Sequence, residues 1–577
     1  MRVATVQLPS VRRRTTDILL ALVLVAIGAA AYVPKLMAAV FIDHDDVISV
    51  IAATCNQSRY ANTTLASHWV TAADWQQYWH MQSFGCFGQI THGLINYDIH
   101  PPLYFWLLHI WFCAFGISIV TGLLLNIVFL SVATVAVYTT CRLLSVSQWI
   151  ACVATLAWMV SLSTRSTVGV IRQYTLFSML TALLLLVTIL WMQRRGWAYL
   201  VGMVVVMTAG LLTHYQFPFP MAAILGTSAL LLWKSHARRE IAHLALAGIS
   251  SVLLFVAILP HFRQSVLLAH KQAQQFELLN LPIRIGGSAF SVAQLFNPLD
   301  WFHPLPYGLL DWTRPTLAII SVLNIATSIA TFWFVVALFR RYFKQSPAPS
   351  TSPLSHLPIL SGIATLVLVI LMYVSFVSPV HAIGLQYLNF ITPMLFVGIA
   401  CAAESCVPVI SERRAVTLPA TLIACAVFAT SLTVWQRTEL LPIRAMGKAD
   451  SIVLDSARRG ILPTALWYAK PTARVYATSQ DDLLQKFPVL PPRASGTLIY
   501  VSSETFENTV KNQQAILKEF DQDGYSQAKQ LTTGVLPPIP FGGHIYVYAP
   551  NPGRKTNDGA SRRGKSGTEA RRSGQEN

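Results

Sequence analysis

Eleven apolar segments, each about as long as a membrane span, dominate this sequence. A helix needs about 20 mostly apolar residues to cross the hydrocarbon core of a bilayer. Only 12% of the 577 residues are charged, too few to cover a water-soluble globule of this length. The sequence therefore predicts a polytopic α-helical membrane protein with about 11 transmembrane helices. The candidate spans are 18–40, 117–141, 148–163, 175–193, 197–213, 217–233, 241–260, 315–338, 357–377, 385–404 and 415–435.

The basic residues at the ends of these segments predict the orientation. With eleven spans, every basic cluster falls on one side, which the positive-inside rule makes cytoplasmic. The clusters are Arg12 to Arg14, Arg142, Arg194 and Arg195, Lys234 with Arg238 and Arg239, Arg340 and Arg341 with Lys344, and Arg413 and Arg414. We therefore expect a cytoplasmic N-terminus (1–17) and a long first loop (41–116) on the opposite side. The formal charge of +17 comes largely from these clusters and a basic tail, so no nucleic-acid partner is expected.

The remaining chain divides by composition. Residues 18–438 form the predicted transmembrane domain, and 439–550 alternate β-branched and helix-like stretches, which is typical of a small extracytoplasmic α/β domain. The Gly-, Ser- and Arg-rich tail at 551–577 is expected to be disordered. Within the first loop, the apolar stretch Leu103–Phe115 is too short to cross and predicts a juxtamembrane helix. The aromatic-rich stretch 67–82 predicts a second helix at the membrane interface.

Two cysteines, Cys55 and Cys86, fall in the same loop. They form a disulfide if the loop faces an oxidising compartment. Two unpaired thiols are the alternative.

An acidic cluster follows the first span, in the motif Phe41-Ile-Asp-His-Asp-Asp46. The carboxylates of Asp43, Asp45 and Asp46 repel one another beside a low-dielectric bilayer, which favours proton uptake by at least one of them. Such a group suits general-base chemistry on a hydroxyl. A solvated acidic cap is the structural alternative, and Asp and His ligands together also suit a divalent cation.

A second motif, Asp98-Ile-His100-Pro-Pro-Leu-Tyr104, ends the loop. The two prolines restrict the backbone, so Asp98 and His100 are held rigidly before the next helix. The prolines are equally suited to a plain helix start. Asp43, Asp98 and His100 are the candidate metal ligands.

Polar residues mark the predicted outer ends of several spans. Arg172 has no acidic neighbour in its own segment, so a lipid phosphate is a natural partner for its guanidinium. Snorkelling to the headgroups is the alternative for this arginine, and a buried core role is the alternative for His214. Arg263, Lys271 and Arg284 in the loop 261–314 are candidates for steering an anionic substrate. The polar set is Arg165, Arg172, Tyr174, Thr213, His214, Tyr215, His381, Gln386 and Tyr387.

Through these residues the chain resembles the GT-C membrane glycosyltransferases. The similarity is to the branch near the protein O-mannosyltransferases and the lipid A aminoarabinose or galacturonic acid transferases. The resemblance covers about residues 15–435 and rests on four motifs in order. They are Asp45-Asp46 after the first span, His-Pro-Pro-Leu-Tyr at 100–104, Arg-x-Tyr at 172–174, and Thr-His-Tyr at 213–215.

Two positions depart from the pattern of these relatives. Val170 stands where relatives often have a glutamate, which leaves the acidic chemistry to the first loop. Gln386-Tyr387 stands where an Arg-Tyr pair is usual, which removes one phosphate-binding cation.

The resemblance implies an inverting glycosyltransferase whose donor is a sugar on a polyprenyl phosphate and whose acceptor is a hydroxyl of a glycolipid, glycan or protein. Asp45 is implied as the general base, with Asp43 as its competitor and Asp46 beside them. Arg172, with His100 or a divalent cation, is implied to stabilise the leaving phosphate. The expected binding set is Asp98, His100, Tyr104, Arg172, Tyr174, His214, Tyr215, Arg263, Gln386 and Tyr387. We expect a bacterial inner membrane as the location, with the C-terminal domain in the periplasm.

Other function classes fit parts of the sequence. A flippase for the same lipid-linked sugar needs no general base, but its polar groups are expected near the midplane of its spans rather than at their ends. A sensor needs a cytoplasmic output domain, which the predicted topology lacks. A glycan ligase or polymerase differs by its preference for a lipid pyrophosphate donor. Neither the sugar nor the acceptor is specified by the sequence.

Overall fold

A computed structural model describes the chain over residues 11–37, 42, 44–64, 68–272, 281–297, 315–344, 353–375, 383–406, 446–455, 461–488, 490, 497–503, 510–522, 525–531 and 543–550. The protein forms two compact units. The first comprises Met1–Thr63 and Tyr78–Glu439, and the second comprises Thr64–Gln77 and Leu440–Asn577.

The described elements are mostly helices. In chain order the helices are α1 (Val11–Met37), α2 (His44–Ala53), α3 (Gln57–Ala61), α4 (Ala72–Gln76), α5 (Phe87–Tyr97), α6 (Leu103–Phe115), α7 (Ile119–Leu143), α8 (Gln148–Val160), α9 (Leu162–Val168), α10 (Tyr174–Arg194), α11 (Trp197–Leu211), α12 (Pro218–Lys234), α13 (Arg238–Ile258), α14 (Phe262–Gln272), α15 (Leu281–Gln294), α16 (Pro315–Lys344), α17 (His356–Ser375), α18 (Thr392–Cys406), α19 (Ile461–Leu466), α20 (Gln480–Gln485) and α21 (Val510–Gln522). The strands are β1 (Val70–Thr71), β2 (Ser451–Asp455), β3 (Arg474–Thr478), β4 (Leu498–Ser503), β5 (Tyr525–Leu531) and β6 (Gly543–Pro550).

The predicted polytopic helical architecture is confirmed. Within the described residues, six helices are long and apolar enough to cross a membrane, namely α1, α7, α10, α13, α16 and α17. Among these six helices, as far as the structure describes them, α10 is the most buried and α16 the least.

Four other predicted spans are helices shorter than expected. Helices α8, α11, α12 and α18 have 13, 15, 17 and 15 residues. Polar turns cut them short: the side chain of Ser161 ends α8 by capping α9, and the turn after α11 is closed by a hydrogen bond from the Gln216 backbone N–H to the His214 ring. The eleventh predicted span, 415–435, lies outside the described residues.

The first loop differs from its prediction in one segment. The helix at Leu103–Phe115 forms as expected, but 67–82 does not form one interfacial helix. Strand β1 and helix α4 replace it, because Thr71 and Asp74 form a capping box that starts a new helix there. The aromatic side chains of this stretch are packed on protein rather than spread at an interface: the ring of Trp69 lies 5.6 Å from that of Tyr476.

The second unit contains the predicted small α/β domain. Its six-stranded sheet has the order β1-β3-β2-β4-β6-β5, with β2 parallel to β3 and β4 and the remaining pairs antiparallel. Aromatic residues dominate its core, where the rings of Phe520 and Tyr548 stack at 4.6 Å. Its location relative to the membrane stays a prediction.

Candidate active site around Arg172

The turn between α9 and α10 presents Arg172, and buried polar side chains fix this turn. The carboxylate of Asp46, only 4% exposed, accepts a hydrogen bond from the Ile171 backbone N–H at 2.6 Å. The side-chain amide of Asn126 donates to the carbonyl oxygens of Val168 and Val170 at 3.4 and 2.5 Å. Because the backbone just before Arg172 is anchored in this way, the direction of its side chain is defined before any ligand binds.

The guanidinium of Arg172 lies between two carboxylates of the first loop. Its Nη2 donates to Asp45 Oδ1 at 2.9 Å, and its Nη1 lies 3.8 Å from Asp98 Oδ2. The Arg172 side chain is 5% exposed, whereas that of Asp45 is 46% exposed. The motifs of Asp45 and Asp98 are about 50 residues apart in the sequence, and that of Arg172 lies about 75 residues further on. The structure brings all three together and leaves Asp45 as the accessible carboxylate.

Asp98 connects Arg172 to His100. The Nδ1 of His100 donates to Asp98 Oδ1 at 2.7 Å, and the same oxygen accepts from the Ile99 backbone N–H at 2.7 Å. Burial by itself raises the pKa of Asp98, but the charges of His100 and Arg172 and these hydrogen bonds outweigh it and hold the pKa well below the usual range. Asp98 is therefore an anion at any physiological pH.

The pKa of Arg172 is shifted in the direction that keeps it charged. Burial alone lowers the pKa of a cation, but the negative charges of Asp45 and Asp98 more than compensate and raise that of Arg172. The site thus combines the charged guanidinium of Arg172 with the ionised carboxylate of Asp98.

His214 is uncharged beside this cluster. Burial first, and the nearby His100 second, lower the pKa of His214 to about 3. Its ring stacks on Phe177 at 5.0 Å and lies 6.2 Å from the ring of His100. Its Nδ1 accepts a hydrogen bond from the Gln216 backbone N–H. His214 therefore forms a neutral wall of the site, which agrees with the buried core role left open above.

Four tyrosines of the described chain lie around the cluster. The ring of Tyr174 contacts Tyr387 edge-on at 5.5 Å, and Tyr387 lies 6.0 Å from Tyr373. The hydroxyl of Tyr104, a fully buried residue, donates to Asn126 at 3.5 Å. Tyr104 thus supports the residue that anchors the Arg172 turn, and Tyr174 and Tyr387 lie next to each other as the motif order suggests.

The remaining predicted site residues lie in other turns and helices or outside the described residues. Burial raises the pKa of Tyr215, which follows His214 in the same turn. Gln386 lies in a short 3₁₀ turn with Tyr387, and Arg263 is exposed on α14. Arg284 is buried on α15 and donates to the Val374 carbonyl oxygen at 3.3 Å, so it has a structural contact. Asp43 and His381 lie outside the described residues, as does the side chain of Lys271.

The candidate metal ligands do not form a metal-like set in the described part of the chain. Asp98 and His100 are hydrogen-bonded to each other, and the guanidinium of Arg172 lies 3.8 Å from the second oxygen of Asp98. A cation at this carboxylate would be repelled by Arg172. The donor set therefore does not fit a divalent ion while Arg172 keeps its place, and no step proposed below uses one.

Cys55, Cys86 and His109 form the group of three potential metal ligands among the described residues. The two cysteines are joined in a disulfide, with their Cα atoms 6.3 Å apart. The ring of His109 donates through Nδ1 to the Ala53 carbonyl oxygen at 2.8 Å and accepts through Nε2 from the Gly85 N–H at 3.2 Å. Both ring nitrogens are thus used in holding the disulfide-linked segments, so the group is structural.

The sequence interpretation missed three residues that organise the site. Asn126 is a fully buried amide in the middle of α7, and Ser265 donates to the Asp98 carbonyl oxygen at 3.3 Å. Asn389, also buried, donates to Thr167 and Ser178 and so joins the 3₁₀ turns before α18 to α9 and α10. An amide inside an apolar span was an available signal for Asn126, because polar groups at that depth need partners.

Three comparisons relate the chain to known proteins. Residues 99–262 match the family described as dolichyl-phosphate-mannose-protein mannosyltransferase, a range that includes His100, Arg172 and His214. No curated protein sequence matches the chain. Two solved structures of ArnT from Cupriavidus metallidurans, one bound to undecaprenyl phosphate and one in the apo state, are 10% identical to this chain. Each alignment covers 91% of this chain and 97% of the other, with TM-scores of 0.39 and 0.34.

The matched segment lies within the region 15–435 in which the motifs resemble the GT-C membrane glycosyltransferases, and it contains the motifs at 100–104, 172–174 and 213–215.

Proposed function

We propose that this protein is a glycosyltransferase that uses a sugar linked to a polyprenyl phosphate and transfers it to an acceptor hydroxyl at the site around Arg172. The observation that carries the proposal is the state of the Arg172 guanidinium. It is buried, and its Nε and Nη1 make no hydrogen bond within the described residues. Unpartnered N–H donors on a planar cation suit the oxygens of a phosphate. The matched family is described by a donor of this chemistry.

The same guanidinium suits the bond-breaking step. When the bond between the anomeric carbon and the phosphate oxygen breaks, the electron pair stays on the phosphate, which gains negative charge. A fixed cation in a site shielded from water stabilises that charge more strongly than it stabilises the ground state. His100 is oriented by its hydrogen bond to Asp98 and, when protonated, adds a second positive charge near this phosphate.

Asp45 is the group best suited to accept the proton of the acceptor hydroxyl. It is the accessible carboxylate of the cluster, while Asp46 is buried and engaged with the backbone of the Arg172 turn. A donor phosphate bound to Arg172 competes with Asp45 for the guanidinium, so the basicity of Asp45 increases once the donor is bound. Attack from the side opposite to the phosphate inverts the anomeric centre. Asp43 remains the competing base.

The partners follow from this reaction. The donor reaches the site from the bilayer, and the acceptor is a glycolipid, a glycan or a protein. We place the reaction at the outer face of a bacterial inner membrane, with a cytoplasmic N-terminus and the sheet-containing unit in the periplasm. The basic clusters at the opposite ends of the spans support this orientation.

The proposal is tested with purified protein in lipid nanodiscs, supplied with a labelled pool of undecaprenyl-phosphate-linked sugars and an envelope extract as acceptor. Wild type is expected to release undecaprenyl phosphate and transfer label, and Arg172→Lys to lose about a hundredfold or more in rate. Arg142→Lys is the matched control, since Arg142 forms an ion pair of 2.9 Å with Asp17 away from the site. If wild-type protein in liposomes moves the labelled lipid between leaflets without transfer, the flippase alternative replaces this proposal.

A further inference from the structure

Three polar atoms of the site make no hydrogen bond within the described residues. They are Asp98 Oδ2, Arg172 Nε and Arg172 Nη1. Their side chains are 11% and 5% exposed, and Asp98 Oδ2 lies 3.8 Å from Arg172 Nη1, too far for a hydrogen bond. Because buried polar groups in native proteins are normally satisfied, a ligand is expected to complete this set. The ligand must offer acceptors to Arg172 and, directly beside them, a donor to Asp98.

A phosphate alone meets only half of this requirement. Its oxygens satisfy Arg172, but they repel the carboxylate of Asp98, which the neighbouring cations keep ionised. Asp98 Oδ1 already accepts two hydrogen bonds, from His100 and from the Ile99 backbone. The unsatisfied Oδ2 therefore calls for an uncharged donor, such as a hydroxyl, located next to the phosphate.

We propose that Asp98 accepts a hydrogen bond from the sugar hydroxyl on the ring carbon adjacent to the phosphate-bearing anomeric carbon, and so selects donors that carry a free hydroxyl there. This inference rests on the proposed function, because it assumes a sugar attached to the phosphate held by Arg172. The phosphate group and the hydroxyl are attached to neighbouring ring carbons in such a donor, as Arg172 and Asp98 lie side by side in the protein. The substrate class is a hexose or pentose with an unsubstituted C2 hydroxyl.

The test measures binding of four lipids to the full-length protein in nanodiscs: undecaprenyl phosphate, its mannose and glucose derivatives, and the shared 2-deoxy derivative of those two sugars. Mannose and glucose differ only at C2, so one 2-deoxy compound serves both. The better of the two hexosides is expected to bind about tenfold or more tightly than the 2-deoxy compound, the loss typical of one hydrogen bond to a charged group. The 6-deoxy derivative of the better hexoside is the control and is expected to bind within about twofold of its parent.

The variant Asp98→Asn separates recognition from positioning. If Asp98 recognises the hydroxyl, the variant loses the discrimination against the 2-deoxy compound, while undecaprenyl phosphate binds as well as before or more tightly because one negative charge is gone. If Asp98 only positions Arg172 and His100, the variant binds all four lipids more weakly by the same factor, and the inference is overturned.

Wild-type measurements alone also decide the matter if the variant fails to fold. Equal binding of the hexosides and the 2-deoxy compound, with undecaprenyl phosphate bound, overturns this inference and leaves the proposed function intact. Failure to bind any of the four lipids overturns the proposed function and this inference with it.

Discussion

The carboxylate of Asp46 accepts a hydrogen bond from the backbone N–H of Ile171 at 2.6 Å, although the two residues are 125 positions apart. This contact connects the first helix of the outer loop to the turn that carries Arg172. It divides the acidic pair between two tasks, because Asp46 holds the turn while Asp45 contacts the guanidinium.

Replacement of Asp46 by alanine tests this division. Asp46→Ala leaves a buried N–H unsatisfied, so we expect a loss of about 1–3 kcal/mol in stability and, through displacement of Arg172, a turnover reduced by about tenfold to a hundredfold. Asp46→Asn keeps an oxygen acceptor and is expected to retain more of both. The measurements are thermal unfolding in detergent and the transfer assay. Lys470→Ala, which removes an exposed ion pair with Asp450, is the control and is expected to change neither. Equal activity of Asp46→Ala and wild type would contradict the assigned role.

The pKa of His214 predicts how stability depends on pH. Its pKa is about 3 in the folded protein against 6.5 for an ordinary histidine. The unfolded chain therefore binds one more proton than the folded protein between these values, so this contribution to stability is complete above pH 6.5 and is lost as the pH falls towards 3.

We expect thermal unfolding between pH 4.5 and 7.5 to show this loss, at up to about 1.4 kcal/mol per pH unit, and His214→Asn to show a shallower slope. His92→Asn is the matched control, because His92 is exposed on α5 and its removal is expected to leave the slope unchanged. Identical slopes for wild type and His214→Asn would show that another group is responsible.

The Cys55–Cys86 disulfide predicts a redox-dependent stability. The bond closes a loop with a sequence separation of 31, for which chain entropy gives about 3–4 kcal/mol of stabilisation. Reduction, or Cys55→Ser, is expected to lower the unfolding temperature. Alkylation of unreduced, denatured protein followed by mass spectrometry checks the bond directly, since Cys113, a free cysteine, is labelled while Cys55 and Cys86 are not. Cys113→Ser is the control for the stability measurement. Labelling of all three cysteines without reductant would exclude the bond.

The membrane spans were the most predictable part of the fold, because an uninterrupted apolar run bounded by basic residues indicates a spanning helix. The predicted spans 117–141 and 175–193 correspond to the observed helices Ile119–Leu143 and Tyr174–Arg194. The stretch 67–82 was not predictable in the same way. Its local aromatic pattern fits a helix, but the backbone N–H of Ala72 bonds to the carbonyl of Ala473, about 400 residues away. Such long-range pairing leaves no trace in the local sequence.

The candidate site was predictable as a set of motifs rather than as a set of contacts. The predicted topology places Asp45, Asp98 and Arg172 on one side of the membrane, and the structure brings the two carboxylates within 4 Å of the Arg172 guanidinium. Which carboxylate contacts which donor depends on side-chain directions at three separate turns. For the same reason the partners of Asn126 were not predictable, although the amide itself stands out in its apolar span, since they are the backbone carbonyls of another turn.

Substitution of Asp45 is the sharpest test of the proposed base. Asp45→Asn keeps an oxygen for the hydrogen bond from Arg172 but cannot take a proton, so we expect donor binding to stay within a few-fold of wild type while the transfer rate falls by about 10²–10⁴. Asp43→Asn tests the competing base, and Asp450→Asn, at another exposed aspartate paired with a cation, is the control. Loss of transfer in Asp43→Asn with activity preserved in Asp45→Asn would move the base to Asp43. Arg172 keeps its charge in all three variants. If Asp45→Asn changes the binding of undecaprenyl phosphate but not the transfer rate, Asp45 acts through the guanidinium instead of on the acceptor.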